Sequence, residues 1–166
     1  IEVDSTPGEG TAFQVALPLP VARPPAATVA TPHADAGPER TLDLLLVEDD
    51  PIVAEVIASL LRAQGHRVAH AAHGLAALAD VAVARFDLAL LDLDLPGMDG
   101  LALARQLRRQ GFAQPLLAVT ARVGAETEQQ ARAAGFDAFL RKPVNGEMLA
   151  AAIRAAVEAV PQDSST

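Results

Sequence analysis

The sequence contains no cysteine, tryptophan or tyrosine, and phenylalanine occurs only five times. Without cysteine the chain forms no disulfide bond and carries no thiolate chemistry, which fits a reducing compartment. So few aromatic rings leave little surface on which nucleic-acid bases could stack. A formal net charge of -8 also argues against nonspecific binding to nucleic acids and to anionic membranes.

Long apolar runs are absent as well. No run approaches the roughly 18 residues of a membrane-spanning helix, and the chain does not open with the basic region and apolar core of a signal peptide. We therefore expect a cytoplasmic chain that makes no direct membrane contact. Because the chain begins at Ile1 in the middle of a pattern, we expect a fragment of a longer protein, and membrane anchoring of its parent stays open.

Aliphatic strands and helices fill most of the chain from residue 42 onward, where short apolar runs alternate with amphipathic segments. The predicted strands cover residues 42–47, 67–71, 87–91, 116–119 and 137–140. The helices that follow them are predicted at residues 51–64, 75–85, 100–110, 124–134 and 144–160, with N-caps at Asp99 and Asn145. This order predicts an α/β fold, a doubly wound five-stranded parallel sheet with helices on both faces.

Polar side chains follow the apolar runs where the predicted strands end. Three acids follow the first strand, and one acid, one hydroxyl and one amine follow the others: Glu48, Asp49, Asp50, Asp92, Thr120 and Lys142. The carboxyl ends of parallel strands meet at one edge of the sheet, so these groups should lie close together. Clustered carboxylates repel one another unless a cation offsets them, and carboxylate oxygens suit Mg2+. The sequence therefore predicts a magnesium site at Glu48, Asp49 and Asp92.

Asp92 also has the chemistry of a phosphoryl acceptor. A carboxylate can attack a phosphoryl group and form an aspartyl phosphate. Lys142 would supply a point charge to the phosphoryl oxygens, and Thr120 would supply a hydroxyl hydrogen bond. A single acid at a strand end is usually only a helix cap, so the hypothesis depends on several such groups meeting at one edge.

The motifs at these strand ends resemble the receiver domain of two-component response regulators. Leu-Val-Glu-Asp-Asp-Pro follows the first strand, Leu-Leu-Asp-Leu-Asp-Leu-Pro-Gly-Met-Asp-Gly the third, Val-Thr-Ala the fourth and Phe-Leu-Arg-Lys-Pro-Val the fifth. Their order and spacing match over residues 42–160, and we assign the receiver domain to residues 41–160. The resemblance implies the flavodoxin-like (βα)5 receiver fold.

The resemblance also implies a role for each matching residue. Asp92 becomes the phosphoacceptor, and Glu48 with Asp49 becomes the acid pair, which leaves Asp50 as a helix cap. Asp49 and Asp92 become direct Mg2+ ligands together with the backbone carbonyl of Asp94. Thr120 and Lys142 are expected to contact the phosphoryl group. Thr120 and Phe139 become the switch residues, although Phe139 lacks the hydroxyl of the tyrosine that often stands at that position.

Residues 1–20 resemble the C-terminal tail of the ATP-binding domain of sensor histidine kinases. Gly8, Gly10 and Thr11 match a nucleotide-binding segment that precedes the final strand of that domain, predicted here at residues 11–19, and an orphan hairpin is the alternative. Residues 21–40, rich in Pro, Ala and Thr, are a predicted linker, and residues 161–166 are a predicted disordered tail.

This arrangement predicts a receiver at the C-terminus of a hybrid sensor kinase. The phosphodonor would be the phosphohistidine domain of its own or another kinase chain. A histidine phosphotransfer protein would be a further partner, and a homodimer stays open. Two alternatives are a phosphatase of the haloacid-dehalogenase type that uses Asp92 and Asp94, and a vestigial receiver that acts as an interaction module. Against the phosphatase, that motif normally follows the first strand of its fold.

The remaining basic and imidazole side chains receive structural interpretations. The spacing of His66, His70 and His73 fits no single helix face, so we expect surface histidines rather than a metal cluster. Arg105, Arg108 and Arg109 are expected to form a solvated helix face.

Overall fold

The structure is a computed structural model that describes residues 2–6, 10–14, 40–121 and 124–159. The chain divides into two compact units, Ile1–Pro38 and Glu39–Thr166. In the first unit, strand β1 (Glu2–Thr6) pairs antiparallel with strand β2 (Gly10–Gln14). β1 had no predicted range, although the hairpin alternative implies a strand before the turn. β2 begins one residue before the strand expected at residues 11–19, whose last five residues lie outside the described part. Most of the predicted linker and the whole predicted tail lie outside it too.

The second unit alternates five strands with five helices. In chain order they are β3 (Asp43–Val47), α1 (Pro51–Ala63), β4 (Arg67–Ala71), α2 (Gly74–Val83), β5 (Leu88–Leu91), α3 (Gly100–Arg109), β6 (Leu116–Thr120), α4 (Ala125–Ala134), β7 (Ala138–Arg141) and α5 (Gly146–Glu158). The strands form one sheet in the order β4-β3-β5-β6-β7, and every pair is parallel. The predicted doubly wound five-stranded sheet is confirmed. Its strand order reverses between β3 and β5, which is the switch point where ligands bind in such sheets.

Apolar side chains cover both faces of the sheet, as expected for strands that read as continuous apolar runs. Successive strand residues point to opposite faces, so Leu45 and Leu91 pack with helices α2, α3 and α4, whereas Leu46 and Leu90 pack with α1 and α5. All four side chains are at most 1% exposed. None of the helices in the described part of the chain has the length and apolar character needed to cross a membrane.

Three of the five helices of the second unit begin at the predicted caps. The carboxylate of Asp50 accepts the amides of Ile52 and Val53, and Asp99 and Asn145 cap α3 and α5 in the same way. The last helix begins at Gly146 rather than at residue 144, because the capping residue Asn145 has an extended backbone.

Two structural interpretations were wrong. Arg108 was expected in solvent, but its guanidinium donates to the carbonyls of Phe112, Gln114 and Gly135 and to the carboxylate of Asp137. It ties the chain after α3 to the chain after α4.

The other wrong interpretation concerns His66, which is only 9% exposed. Its Nδ1 accepts the amide of Leu42 at 3.4 Å, so the ring belongs to the packed start of the sheet. His70, His73, Arg105 and Arg109 are exposed, as predicted.

Candidate functional site

Glu48 and Asp92 extend two neighbouring strands by one residue at the switch point. The last residues of β3 and β5, Val47 and Leu91, are registered partners. Beyond them, the amide of Asp92 donates to the carbonyl of Val47 at 2.9 Å, and the amide of Glu48 donates to that of Ala71 at 3.2 Å. The two acidic residues therefore leave the sheet side by side. Both are buried, with 2% of Glu48 and 6% of Asp92 exposed.

Lys142 contacts the carboxylates of both Glu48 and Asp92. It follows β7 directly, and its amide donates to the carbonyl of Thr120 at 2.9 Å. Its Nζ lies 2.6 Å from Oε2 of Glu48 and 2.8 Å from Oδ2 of Asp92. The following Lys142-Pro143 peptide bond is cis. One ammonium group thus bridges two buried carboxylates that belong to different strands.

The charges of this cluster do not balance. Burial raises the pKa of Glu48, the hydrogen bond and charge of Lys142 oppose that rise, and the nearby charge of Asp92 adds to it. Burial lowers the pKa of Lys142, but its hydrogen bonds to Asp92 and Glu48 outweigh burial and leave the pKa raised. Lys142 is therefore a cation at neutral pH. Two carboxylates face this single cation, and the excess negative charge favours a further cation.

The carboxylates of Glu48, Asp49 and Asp92 form the arrangement that such a cation requires. Each offers an oxygen, and the three oxygens lie within 4.8 Å of one another. Asp49 is exposed, so the cluster opens to solvent on one side. Mg2+ prefers oxygen ligands and keeps several of its waters, so this donor set and this opening fit Mg2+. We refer to Glu48, Asp49, Asp92 and Lys142 as the acidic site.

Asp94 lies beside the acidic site, two residues after Asp92. Its amide donates to Oδ1 of Asp92 at 3.2 Å, and the residue is exposed. The backbone amide of Asp94 therefore holds Oδ1 of Asp92, and the ammonium group of Lys142 holds Oδ2. The expected role of the Asp94 carbonyl as a metal ligand stays a prediction.

The two predicted switch residues lie on neighbouring strands. Thr120 is the last residue of β6, fully buried, at the same edge of the sheet as Asp92. Phe139 lies on β7 opposite Ala118, half-buried against the cluster that includes α4. Phe139 is thus set back from the sheet edge by two residue positions relative to Thr120. Their roles as a switch stay predictions.

Two residues that sequence reasoning did not assign to the site contact its backbone. Nε2 of His70, on β4, lies 2.8 Å from the carbonyl oxygen of Glu48. At Gly100, the first residue of α3, an added Cβ would lie 2.1 Å from the carbonyl oxygen of Asp92. The glycine that follows the cap Asp99 was a visible signal for a close approach, whereas nothing local distinguishes His70 from a surface histidine.

Comparisons with known proteins agree with this geometry. The sequence model of the response regulator receiver domain matches residues 44–154. Sensor histidine kinase AruS of Pseudomonas aeruginosa is 37% identical over an alignment 170 positions long, which covers 97% of this chain and 16% of that protein. The two-component response regulator PhoP of the same species is 40% identical over 114 residues, which cover 69% of this chain and 51% of PhoP. The chain thus spans less than a fifth of the length of AruS and about half of the length of PhoP.

Among solved structures, the receiver domain of the Pseudomonas aeruginosa sensor histidine kinase PA1611 is 30% identical. The match has a TM-score of 0.67 and covers 72% of this chain and 100% of that domain. That crystal structure contains a magnesium ion coordinated in the active-site cleft.

Proposed function

This chain belongs to the response regulator receiver domains of two-component signalling, and from that premise we propose that Asp92 is its phosphoacceptor. The phosphoryl group would come from a phosphohistidine of a sensor kinase. One observation carries the proposal: Lys142 bridges the buried carboxylates of Glu48 and Asp92 at the switch point of the sheet.

The proposed reaction is a transfer from nitrogen to oxygen. A carboxylate oxygen of Asp92 bonds to phosphorus while the bond from phosphorus to the donor imidazole nitrogen breaks. The electron pair of that bond stays on the imidazole, which takes up a proton from water. The negative charge of Asp92 then moves outward onto the phosphoryl oxygens. Lys142, already within 2.8 Å of Asp92, is in reach to pair with them.

Mg2+ is the proposed cofactor. Asp49, Asp92 and the backbone carbonyl of Asp94 would hold it directly, with Glu48 as the second member of the acid pair. When bound, Mg2+ would neutralise charge on the phosphoryl group. The oxygen donor set supports this choice, as does the magnesium ion in the receiver structure of PA1611.

The proposed output is a switch that starts at Thr120. Its hydroxyl would hydrogen-bond a phosphoryl oxygen on Asp92, and the ring of Phe139 would then move inward on β7 beside it. Replacing Thr120 with alanine should abolish the phosphorylation-dependent NMR shifts around Phe139. Shifts that persist in T120A would contradict the coupling.

The proposed parent is a hybrid sensor kinase. The match to AruS runs over 97% of this chain, which supports the assignment of residues 1–20 to the tail of a kinase ATP-binding domain. The kinase core, in the same or another chain, would be the phosphodonor, and a histidine phosphotransfer protein would be the next acceptor. Because the kinase uses ATP, we assign the reaction to the cytoplasm.

The proposal is tested by incubating the chain with acetyl phosphate and Mg2+ and measuring its intact mass. Wild type should gain one phosphoryl group, and D92A should gain none. D94N is the matched control, because it removes the neighbouring carboxylate and keeps the backbone carbonyl, so it should still gain the group. An undiminished adduct in D92A contradicts the assignment. Rapid repeated turnover of phosphate monoesters, lost in D94N, would favour the phosphatase instead.

A further inference from the structure

Strand β4 makes hydrogen bonds with both main-chain groups of Glu48, its amide and its carbonyl. The amide of Glu48 donates to the carbonyl of Ala71 at 3.2 Å, and the carbonyl of Glu48 lies 2.8 Å from Nε2 of His70. A carbonyl oxygen can only accept a hydrogen bond, so Nε2 of His70 must carry the hydrogen. The last registered pair of strands β3 and β4 is Val47 and Ala71. The side chain of His70 therefore adds a hydrogen bond between the two strands beyond that pair, at the carbonyl of Glu48.

The direction of the chain changes at the peptide that this hydrogen bond holds. Along an extended strand, consecutive side chains point to opposite faces. Glu48 and Asp49 are consecutive, yet both place a carboxylate oxygen within 4.8 Å of the other and of Asp92. The backbone therefore bends at Asp49. The Glu48 carbonyl and the Asp49 amide share one rigid peptide plane, so fixing the carbonyl also fixes the direction in which Asp49 leaves the sheet.

We propose that His70 is a positioning residue of the metal site, which orients the Glu48–Asp49 peptide so that both carboxylates face Asp92. The inference rests on the proposed function, because it concerns the Mg2+ that this function requires. His70 itself binds neither metal nor phosphoryl group. It acts through the peptide between the two acids, as residues that support metal ligands commonly act through a hydrogen bond.

The test compares His70→Gln with His70→Asn in the full chain, measuring Mg2+ affinity by calorimetric titration without any phosphodonor. The glutamine amide nitrogen reaches about as far as Nε2, whereas the asparagine amide is shorter by one methylene and does not reach the carbonyl. We expect H70N to weaken Mg2+ binding by about tenfold and H70Q by no more than about threefold. R105A, an exposed arginine on α3, serves as the surface control and should bind Mg2+ as wild type does.

Unfolding by urea without Mg2+ separates positioning from a general structural role. H70N and H70Q should unfold at similar urea concentrations, although their Mg2+ affinities differ. Equal Mg2+ affinity of H70N and wild type overturns the inference alone, as does equally weak binding by H70N and H70Q. Wild type that fails to bind Mg2+ overturns the proposed cofactor, and the role of His70 with it.

Discussion

Glu48 and Asp92 are buried carboxylates that share one ammonium group, that of Lys142. Buried charges are costly unless each has a partner, and here two anions divide one cation. Burial, with a smaller contribution from the charge of Asp92, raises the pKa of Glu48 despite its hydrogen bond of 2.6 Å to Lys142. A further cation would offset the excess negative charge of the acidic site, in keeping with the proposed Mg2+.

Replacing Glu48 with glutamine should stabilise the metal-free chain at neutral pH by about 1 kcal/mol, because a neutral amide removes the uncompensated charge. The raised pKa fixes the pH dependence. The folded chain binds the Glu48 proton more tightly than the unfolded chain, so the penalty exists above the folded pKa and disappears as pH falls through it. The advantage of E48Q should shrink accordingly toward acidic pH. Urea unfolding across the pH range measures this, and an advantage that grows on acidification would contradict it.

Gly100 should tolerate no side chain. An added Cβ would meet the backbone of Asp92 at 2.1 Å and of Leu93 at 2.7 Å, and backbone atoms cannot move aside as a flexible side chain can. We expect G100A to lower the free energy of unfolding by about 3 kcal/mol. G146A is the matched control at the first residue of α5, where the nearest atom is a side-chain nitrogen at 3.4 Å. Similar losses in the two variants, measured by urea unfolding, would argue against the close approach.

The sequence predicts the location of those site residues whose place in the fold depends only on lying at the end of a strand. Asp92, Thr120 and Lys142 lie at one edge as the order of strands and helices requires. That Lys142 bridges two strands, or that His70 contacts Glu48, could not be predicted, because both contacts depend on the spatial order of strands and on side-chain directions.

At the scale of helices and strands, local signals predicted the boundaries of the second unit to within two residues. The caps Asp99 and Asn145 act within their own turn of helix, so local sequence identifies them, whereas the cap role of Asp50 followed from the resemblance. Strand β1 was missed because Glu2–Thr6 contains a single large apolar residue, Val3, and its extended form depends on pairing with β2. Such cross-strand pairing is not visible in the pattern of one segment.

Arg108, on α3, links the chain after α3 to the chain after α4. Its guanidinium donates to three carbonyls and one carboxylate, and only 25% of its side chain is exposed. We expect R108A to lower the free energy of unfolding by about 2–3 kcal/mol, because those acceptors lose a charged donor. R105A, on the same helix and exposed, should change it by less than about 0.5 kcal/mol. Equal effects in urea unfolding would mean that the Arg108 contacts contribute nothing.

At the scale of the whole second unit, the strand order explains where the acidic site forms. The first strand of the sheet, β3, lies between β4 and β5, so the chain crosses to opposite sides after its first two strands. The gap between the carboxyl ends of β3 and β5 is where Glu48, Asp49 and Asp92 meet. Alternating strands and helices predicted a parallel sheet, but they do not determine this order, which depends on pairing between distant segments.

Locating the phosphoryl group is the sharpest test of whether this edge of the sheet accepts it on Asp92. After incubation with acetyl phosphate and Mg2+, borohydride reduction converts an aspartyl phosphate into homoserine, and peptide mass spectrometry identifies the converted position. Conversion should occur at Asp92, should require Mg2+ and should be absent at Asp49 and Asp94. Conversion at either of those residues, or at none, would contradict the account.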